Sequence, residues 1–513
     1  MQLKKENIEK IINSEKIKAG PIKNFPERVI QFGEGNFLRA FIDWMFNELN
    51  KKNLFNGSVV VIQPLEQGLI NLINEQDGLY TLFLRGVDQG QVIEKREIIT
   101  SLSRGINPYE NWDEYLALAK QVELRYVVSN TTEAGIEYVN TPYPESVCPK
   151  SYPAKLARFL YERYLHFNGM EEKGMLIIPC ELIEANGTML KKAILKHAED
   201  WALPEGFKAW IDKDNCFFNT LVDRIVPGYP KEEVSSITKD LGYEDKLLDT
   251  GELFHFFVIE GDETFSRELP FTEAGLNVKW TPDQQPYRTR KVRILNGAHT
   301  LSVLAAYLSG KNTVKEMVDD DLFNNLIMSA VFNEIIPTLE LPEKEKEEYA
   351  LAVLERFGNP FIKHFLLSIS LNSVSKFKVR VLPSLLKYID KKGCLPLILP
   401  FSLASLIMFY RGKFSSDGRL YGKRGEENYE ISDSPEVQAF FEKLWQMYEG
   451  EPGQICRGVL SNESFWGLDL TKVEGLLEAT EHNLSQIINT GIIKTAEALL
   501  PEGSASNDEK LSA

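Results

Sequence analysis

The sequence is poor in histidine and cysteine and carries no excess of positive charge. It has six histidines and five cysteines in 513 residues, with a net charge of -16. An acidic chain of this kind lacks the basic footprint of a nucleic-acid-binding protein. The cysteines are odd in number and widely spaced, which predicts reduced thiols and argues against a disulfide framework or a zinc site. They are Cys148, Cys180, Cys216, Cys394 and Cys456.

Long hydrophobic runs are also missing. The longest, residues 395–410, is shorter than the roughly 20 residues of a membrane span and contains Pro396 and Pro400. It predicts a buried helix that begins near Pro400. The first residues, Met1–Glu6, lack the apolar segment of a secretion signal, so we expect a cytoplasmic protein. The composition, 43% hydrophobic and 26% charged, is typical of a soluble chain with two or three domains.

Near its N-terminus the sequence does contain a strand, a glycine turn and a helix in that order. Residues 28–32 form a short apolar run, Gly33 and Gly35 follow, and an amphipathic helix then runs to about Leu49. Glycines let the backbone approach a pyrophosphate, and the helix N-terminus faces its negative charge. The pattern therefore predicts a dinucleotide site. Leu38 stands where a third glycine is expected, so an ordinary tight turn remains the alternative.

Further apolar runs predict a mostly parallel sheet covered by helices. The runs are residues 58–63, 80–85 and 124–129, with a helical segment at 107–120 between the last two. Ligands of such sheets lie beyond the carboxyl ends of the strands, which would place the polar residues 130–133 at the site. The second strand ends in Gln63 and Pro64 without an acid for a ribose hydroxyl, and Glu66 is the nearest carboxylate. The choice between NAD and NADP therefore stays open by this rule.

The main candidate for chemistry is the stretch from Lys291 to His299, which holds an amine, a carboxamide and an imidazole within nine residues. Asn296 and His299 share a helix face, and the long side chain of Lys291 can reach it. Such a set suits metal-free interconversion of a carbonyl and an alcohol, with Lys exchanging the proton, Asn donating to the oxygen and His orienting either partner. A basic role requires the pKa of Lys291 to fall from about 10.4 toward roughly 7 to 8. The alternative is a solvated first turn with a capping Asn.

The organisation of the chain changes near residue 285, within a segment of linker composition at 281–287. Before this point strands and helices mix, with later strands expected at 174–180 and 253–260. After it, nearly everything reads as helix. The predicted helices are residues 298–308, 322–339, 343–357, 361–369, 379–389, 399–410, 435–448 and 470–490. We therefore expect an N-terminal extension at 1–24, a nucleotide-binding domain at 25–285, a helical domain at 286–495 and a disordered polar tail at 501–513.

Four segments, in this order and spacing, resemble the mannitol dehydrogenase family of long-chain polyol dehydrogenases. They are residues 32–39, 129–136 and 218–225 and the set Lys291, Asn296 and His299. The resemblance extends from about residue 25 to about residue 490. It implies the α/β fold class, with an N-terminal Rossmann-type, mostly parallel sheet with helices and a mainly α-helical C-terminal domain. The wording of residues 33–39, 129–135 and 179–183 looks most like family members that act on hexuronates.

The resemblance also implies a metal-independent, NAD-linked reduction of D-tagaturonate to D-altronate and a role for each matching residue. Lys291 becomes the general acid/base, Asn296 a donor to the reacting oxygen, and His299 the group that positions Lys291 or the substrate. A cleft between the two domains would place Lys291 opposite the nicotinamide. The implied cofactor-binding residues are Val29, Ile30, Gln31, Phe32, Gly33, Glu34, Gly35, Asn36, Phe37, Leu38, Arg39, Ala40, Asn130, Thr131 and Asp223.

The sequence departs from the polyol-specific members in its expected substrate contacts. Those members carry an Asp-Asn pair where this chain has Glu181 and Leu182, and we expect the nearby Asn186 to compensate. Their later Arg and Lys have no clean match. This chain instead has a basic segment at 376–380, of which Lys378 and Arg380 are the candidates for a substrate carboxylate. The alternative for this segment is a solvated basic helix start. Arg293 is a further candidate, and its alternative is an ion pair with an acid.

Other functions remain open from the sequence. A fructuronate reductase, a mannitol 2-dehydrogenase or a sugar-phosphate polyol dehydrogenase could use the same three residues. Outside enzymes, a dinucleotide-sensing protein could keep the glycine turn without turnover, although it has no need for the proton-transfer lysine. The expected partner is a small sugar acid, with neither nucleic acid nor membrane, and the oligomeric state is left open.

Overall fold

A computed structural model describes residues 1–132 and 134–500 of the chain. The chain divides into two compact units. Unit 1 comprises Met1–Gly86 and Val92–Gln284, and unit 2 comprises Val87–Gln91 and the chain from Gln285 onward. Glu133 and the predicted disordered tail at 501–513 lie outside the described residues. No described helix combines the length and apolar character needed to cross a membrane.

Unit 1 contains most of the strands. They are β1 (Lys18–Ala19), β2 (Glu27–Phe32), β3 (Ser58–Ile62), β4 (Tyr80–Asp88), β5 (Gln91–Ile99), β6 (Leu102–Ile106), β7 (Tyr126–Ser129), β8 (Leu176–Pro179), β9 (Cys216–Phe217), β10 (Asn219–Asp223), β11 (Asp249–Glu252), β12 (Phe256–Glu260) and β13 (Val278–Thr281). The tip between β4 and β5 belongs to unit 2.

Helices cover these strands. They are α1 (Ile8–Ile12), α2 (Asn36–Leu38), α3 (Trp44–Lys51), α4 (Ile70–Glu75), α5 (Trp112–Leu118), α6 (Tyr152–His166), α7 (Asn186–Asp200), α8 (Glu205–Lys213) and α9 (Val234–Leu241). A π-helical segment, Arg39–Asp43, joins α2 to α3. Short 3₁₀ turns lie at Lys5–Asn7, Ala134–Ile136, Glu171–Lys173 and Glu263–Arg267.

The main sheet of unit 1 has the strand order β6-β3-β2-β7-β8-β9, and its neighbouring strands pair in parallel. A hydrophobic core lies on each face of this sheet, and successive residues of a strand point into opposite cores. Val59 and Val61 belong to one core, and Val60 and Ile62 belong to the other. Burial on both faces explains why these strands read as continuous apolar runs. This is the Rossmann order, whose switch point lies between β2 and β7. The expected fold class is confirmed.

Two predicted strands lie outside the main sheet. Residues 80–85 belong to β4, which sits in a second sheet with the order β1-β5-β4-β11, and the segment at 253–260 yields only β12, paired antiparallel with β10. Placing residues 80–85 in the main parallel sheet was wrong, because an apolar run does not specify its partner strand. The residues of the expected N-terminal extension pack into unit 1, where Leu3, Ile8 and Ile11 are buried.

Unit 2 is mainly helical. Its helices are α10 (Gln285–Lys291), α11 (Gly297–Leu308), α12 (Val314–Val318), α13 (Asp321–Ser329), α14 (Glu343–Phe357), α15 (Leu366–Ile369), α16 (Ser373–Arg380), α17 (Leu382–Lys392), α18 (Ile398–Phe409), α19 (Pro435–Met447), α20 (Pro452–Leu460), α21 (Glu463–Trp466), α22 (Leu476–Thr490) and α23 (Ile492–Glu497). Segments of π-helix lie at Val292–Asn296 and Ala330–Ile335, and 3₁₀ turns at Ile336–Thr338 and Leu470–Lys472.

The sequence-based description of unit 2 needs two corrections. The predicted helix at 361–369 is helical only at α15. An antiparallel sheet formed by β14 (Gly412–Phe414), β15 (Leu420–Arg424) and β16 (Glu427–Glu430) was not predicted. Its strands are short and rich in charge, so they lack the apolar runs that reveal buried strands. The predicted buried helix near Pro400 is confirmed as α18, whose residues are almost all buried.

Candidate functional site

The glycine turn follows β2 at the switch point of the main sheet. Gly33 has a φ of +122°, and a Cβ there would lie 3.0 Å from the carbonyl oxygen of Asn130, which follows β7. Gly35 is the N-cap of α2, where no side chain caps the helix, and nothing lies within 4 Å of an added Cβ. The start of this helix therefore has no side-chain cap, and the space beside Gly35 is open. This arrangement fits the pyrophosphate of a dinucleotide.

Most of the predicted cofactor-binding segment shapes the turn from inside. Of residues 29–40, only Gly35, Asn36 and Phe37 are not buried. The Gln31 amide donates to the Gly33 carbonyl oxygen at 3.1 Å and to Asp43 Oδ2 at 3.1 Å. These buried contacts fix the backbone of the turn, and the accessible residues are left to meet a ligand.

Arg39 is also a buried support of the turn. It donates to Asn36 Oδ1 at 2.6 Å and to the Leu247 carbonyl oxygen, and it lies 3.8 Å from Asp249. Burial raises the pKa of both Asp43 and Asp249 to about 7, although the Arg39 charge acts against this. Arg39 therefore acts on the turn through Asn36 and the buried acids, with almost none of its side chain exposed.

Leu38 occupies the position of the missing third glycine, and a different glycine, Gly228, lets another segment approach the turn closely. Leu38 is buried, and its Cδ1 lies 3.2 Å from the Cβ position of Gly33. On the outer side of the same turn, a Cβ at Gly228 would lie 2.2 Å from Asn36 Nδ2. Arg224 joins this region by donating to the Ala40 carbonyl oxygen at 2.6 Å. The neighbouring Asp223 is buried at the end of β10.

Glu181, which was not predicted to have a role, ties together the carboxyl ends of β7 and β8. Its carboxylate accepts from the Thr131 amide at 3.0 Å, the Thr131 hydroxyl at 3.1 Å and the Ser129 hydroxyl at 3.1 Å. Burial raises the pKa of Glu181, and these hydrogen bonds oppose the shift. Asn130 donates to the Cys180 carbonyl oxygen at 2.7 Å. Asn130 and Thr131 are thereby held at the edge of the sheet where a ligand is expected.

Asn186 does not occupy the position expected of a substrate donor. It is fully buried, and its amide donates to the carbonyl oxygens of Pro179 and Glu181 at 3.1 Å each. Its oxygen accepts from the Thr220 amide at 2.9 Å. In this structure the Asn186 carboxamide is therefore engaged in joining β8 to β10.

The loop after β3 is fixed by a buried lysine. The Lys155 ammonium donates to the Pro64 carbonyl oxygen at 2.9 Å and to the Tyr109 hydroxyl at 3.0 Å. Burial lowers the pKa of Lys155 to about 8. Glu66 is exposed in this loop, 3.9 Å from the Lys150 ammonium. The loop is thus held in place, while Glu66, the carboxylate nearest to the end of β3, stays accessible.

In unit 2, Lys291, Asn296 and His299 lie on one continuous helical run formed by α10, the π-helical segment Val292–Asn296 and α11. In a regular α-helix, residues five apart point about 140° away from each other. The i to i+5 pattern of a π-helix widens the turn, so Asn296 comes round toward the face of Lys291. His299, three residues further on, shares the face of Asn296. The π turn therefore groups the three predicted catalytic residues.

The side chains of this group are available to a ligand in different degrees. Lys291 and Asn296 are partly buried, and within the described chain the Asn296 carboxamide makes no hydrogen bond. His299 is 7% exposed and stacks on Phe357, with ring centroids 4.1 Å apart. Its Nε2 is buried and has no hydrogen-bond partner among the described residues. An unpaired carboxamide and an unpaired buried imidazole nitrogen, next to an amine, can orient an oxygen for proton transfer.

The basic segment at 376–380 is only partly brought to this group. Arg380 Nη1 lies 3.4 Å from the hydroxyl of Thr300, the residue after His299. Lys378 lies elsewhere, with its Nζ 3.7 Å from the Cβ position of Gly467. Arg293 donates to the Val379 carbonyl oxygen at 2.5 Å. The structure thus associates Arg380, and not Lys378, with the neighbourhood of His299.

Comparison with known proteins gives the same assignment over nearly the whole chain. The family model described as "Mannitol dehydrogenase Rossmann domain" matches residues 27–272, and that described as "Mannitol dehydrogenase C-terminal domain" matches residues 283–488. An altronate oxidoreductase of Halalkalibacterium halodurans is 43% identical over 486 residues, covering 94% of this chain and 95% of that protein. An altronate oxidoreductase of Escherichia coli is 44% identical over 483 residues, covering 93% and 98%.

Two solved structures share the fold. A D-sorbitol dehydrogenase in substrate-free form superposes with a TM-score of 0.77 at 20% identity, covering 97% of this chain and all of that one. The mannitol 2-dehydrogenase of Pseudomonas fluorescens, in ternary complex with NAD and D-mannitol, gives a TM-score of 0.67 at 19% identity, covering 97% and 99%. At these identities the likeness is one of fold.

Proposed function

Because the chain belongs to the mannitol dehydrogenase family, we propose that it is an NAD-dependent oxidoreductase that interconverts D-tagaturonate and D-altronate. The two altronate oxidoreductases, similar over almost their full length, support this substrate. The ternary complex of the mannitol 2-dehydrogenase contains NAD, and the open glycine turn of this chain fits a dinucleotide. The cysteines are free thiols, which fits a reducing compartment, and we place the reaction in cytoplasmic hexuronate catabolism.

The observation that carries the proposal is the π turn at Val292–Asn296, which turns the helix position of Asn296 toward that of Lys291. In the proposed reduction, Lys291 donates a proton to the ketone oxygen while the ketone carbon receives a hydride, so that the ketone becomes an alcohol. The Asn296 carboxamide donates a hydrogen bond to that oxygen and stabilises its developing negative charge. His299 positions the lysine and the substrate. In the oxidation of altronate, the same lysine accepts the hydroxyl proton.

Unit 1 holds the cofactor in this proposal. The amides after Gly35 bind the pyrophosphate, and Asn130 and Thr131 border the ribose at the carboxyl end of β7. When bound, the dinucleotide supplies the hydride or removes it. Gln31 and Arg39 support this turn through their hydrogen bonds to Gly33, Asp43 and Asn36.

The proposal is tested by following NADH absorbance with D-tagaturonate, D-fructuronate and D-fructose as substrates. We expect tagaturonate to give the highest kcat/KM. Preference for fructuronate or fructose would indicate the related reductase or a polyol dehydrogenase instead, and binding of NADH without turnover of any substrate would indicate a dinucleotide sensor.

The role of Lys291 is tested by Lys291→Met. We expect kcat to fall by about 10²- to 10⁴-fold, the usual contribution of a general acid/base, with unchanged NADH binding. Lys315→Met is the matched control, because Lys315 of the same unit is partly exposed and pairs with Asp319, the residue that follows its own helix. Near wild-type turnover of Lys291→Met would refute the assigned role.

A further inference from the structure

Several basic side chains lie near His299, and the sequence pointed to only some of them. His364 meets the His299 ring edge to face, with centroids 5.3 Å apart and an interplanar angle of 85°. On α16, Lys376 and Arg380 are four residues apart and share a helix face. Arg380 reaches Thr300 beside His299, and the Lys376 ammonium donates to the Ile369 carbonyl oxygen at 2.8 Å. Two histidines, a lysine and an arginine are therefore gathered in one region of unit 2.

The electrostatics of this region show that positive charge is concentrated there. Burial lowers the pKa of His299 well below its ordinary value, and His364, Arg356, Arg380 and Lys376 each lower it further. Burial and the Lys376 charge also lower the pKa of His364.

Among the described residues, the one acid that counters these shifts is Asp433, which acts on Lys376 and also accepts from the Tyr410 hydroxyl. Lys376 and Arg380 are partly buried, and burial lowers the pKa of each. Positive groups kept close together with so little acidic compensation repel one another, and a bound anion would relieve that repulsion.

A second observation, independent of charge, also indicates a ligand. His299 is more than nine-tenths buried, and its Nε2 has no partner in residues 1–132 and 134–500. Buried polar atoms in folded proteins are nearly always paired, so an unpaired one beside a group of cations is expected to meet a ligand. The region also continues from the helical face that carries Lys291 and Asn296, since His299 belongs to both.

We propose that His364, Lys376 and Arg380 form the pocket for the carboxylate of the sugar acid, and that His364 is a specificity-determining residue of the reaction. The inference rests on the proposed function and deepens it. In a keto-hexuronate the ketone and the carboxylate lie toward opposite ends of the carbon chain. His299 accordingly stands between the proton-transfer residues on its own helix and the cations that hold the far end. Arg380 offers two parallel hydrogen bonds to a carboxylate, and Lys376 a point charge.

The test compares an acidic substrate with a neutral one. Steady-state kinetics at saturating NADH are measured with D-tagaturonate and with D-tagatose, the ketose that lacks the carboxylate, for wild type and for His364→Asn, Lys376→Met and Arg380→Met. Loss of the Lys376 or Arg380 contact should raise KM for tagaturonate by about 10- to 100-fold, and loss of the His364 contact should raise it by about 10-fold. We expect kcat to change less, and kcat/KM for tagatose to stay within about threefold of wild type. Arg380→Lys should recover part of the affinity.

Lys387→Met is the matched control, because Lys387 is an exposed lysine of the next helix that pairs with Asp390. Melting temperatures identify any variant that fails to fold, in which case Lys376→Met and His364→Asn carry the test. Equal losses with tagaturonate and tagatose would overturn the proposal, since they would show a structural role. A wild-type preference for a ketose phosphate over tagaturonate would overturn it as well.

Failure of the proposed function is distinguishable from failure of the pocket. Calorimetric titration of the NAD-loaded protein with D-altronate measures the pocket without turnover. If wild type reduces no hexuronate yet binds altronate more tightly than Lys376→Met does, the function fails and the pocket stands. If wild type reduces tagaturonate and the three variants keep its KM, the pocket fails and the function stands.

Discussion

Gly33 and Gly35 make different demands on the glycine turn, and their alanine variants should separate protein stability from cofactor binding. Gly33 combines a φ of +122° with two close neighbours, the Asn130 carbonyl oxygen at 3.0 Å and Leu38 Cδ1 at 3.2 Å from its Cβ position. Gly35 has an ordinary φ of -68°, and nothing lies within 4 Å of an added Cβ. Of the two alanine substitutions, only Gly33→Ala strains the backbone of the protein.

The expected magnitudes follow from this geometry. A non-glycine residue held in such a backbone region costs about 1–3 kcal/mol, and the contact with the Asn130 carbonyl adds to this because backbone cannot move aside. In a domain of this size we expect Gly33→Ala to lower the melting temperature by about 2–10 °C. Gly35→Ala loses only a favourable N-cap glycine, which costs about 1 kcal/mol or less.

NADH binding should be weakened by Gly35→Ala, the variant with the smaller effect on stability. The methyl group of Gly35→Ala enters the open space at the start of the helix, where the pyrophosphate must approach the backbone. We expect its NADH affinity to fall by about tenfold or more, equivalent to about 1.4 kcal/mol. The loss should appear without a matching loss of stability.

Two measurements check the prediction: thermal unfolding of the cofactor-free protein, and NADH binding followed by fluorescence. Gly242→Ala is the control for backbone strain alone, since Gly242 has a φ of +80° in the same unit with nothing within 4 Å of its Cβ position. It should lower stability and leave NADH affinity unchanged. The reasoning is refuted if Gly35→Ala binds NADH as wild type does, or if Gly33→Ala melts no lower than Gly35→Ala.

Three further predictions concern buried polar groups. Burial raises the pKa of Asp43 from 3.8 to about 7. Its contribution to the free energy of unfolding is therefore full below pH 3.8 and is lost as the pH rises toward 7. Urea unfolding at several pH values should show a smaller decline in this free energy for Asp43→Asn than for wild type. Glu334 accepts from three amides of residues 397–399 at 2.8 to 3.1 Å, and Glu334→Ala should cost about 2–4 kcal/mol, less for Glu334→Gln. Asn186→Ala should cost a similar amount by denaturation, with KM unchanged if its role is purely structural.

Local patterns in the sequence were sufficient for the glycine turn and for four strands of the main sheet, β2, β3, β7 and β8, but not for the edge strands β6 and β9. Parallel strands buried on both faces appear as continuous apolar runs, and the turn requires glycine at Gly33 whatever surrounds it. The same reasoning failed for residues 80–85, because a second sheet uses apolar runs of the same kind. The small sheet in unit 2 was missed for the opposite reason, since its charged strands leave no such run.

For the candidate site, the sequence located the residues of one helix but not their partners. Helical spacing relates Asn296 to His299 because they are three residues apart, yet the π turn that brings Lys291 to them is not visible in the spacing. Asn186 had a plausible residue type and position, and the structure uses it to join two strands. Glu181 gave no signal beyond its place near the end of β8.

The sequence by itself determined the chemical groups, their order along the chain and the local elements that carry them, because turn geometry and hydrophobic periodicity act over a few residues. Only the tertiary structure decided that His364, Lys376 and Arg380 gather around His299 while Lys378 does not. These contacts depend on how separate helices pack. Packing brings together residues that are far apart in the chain, and the local sequence around one of them does not indicate the other.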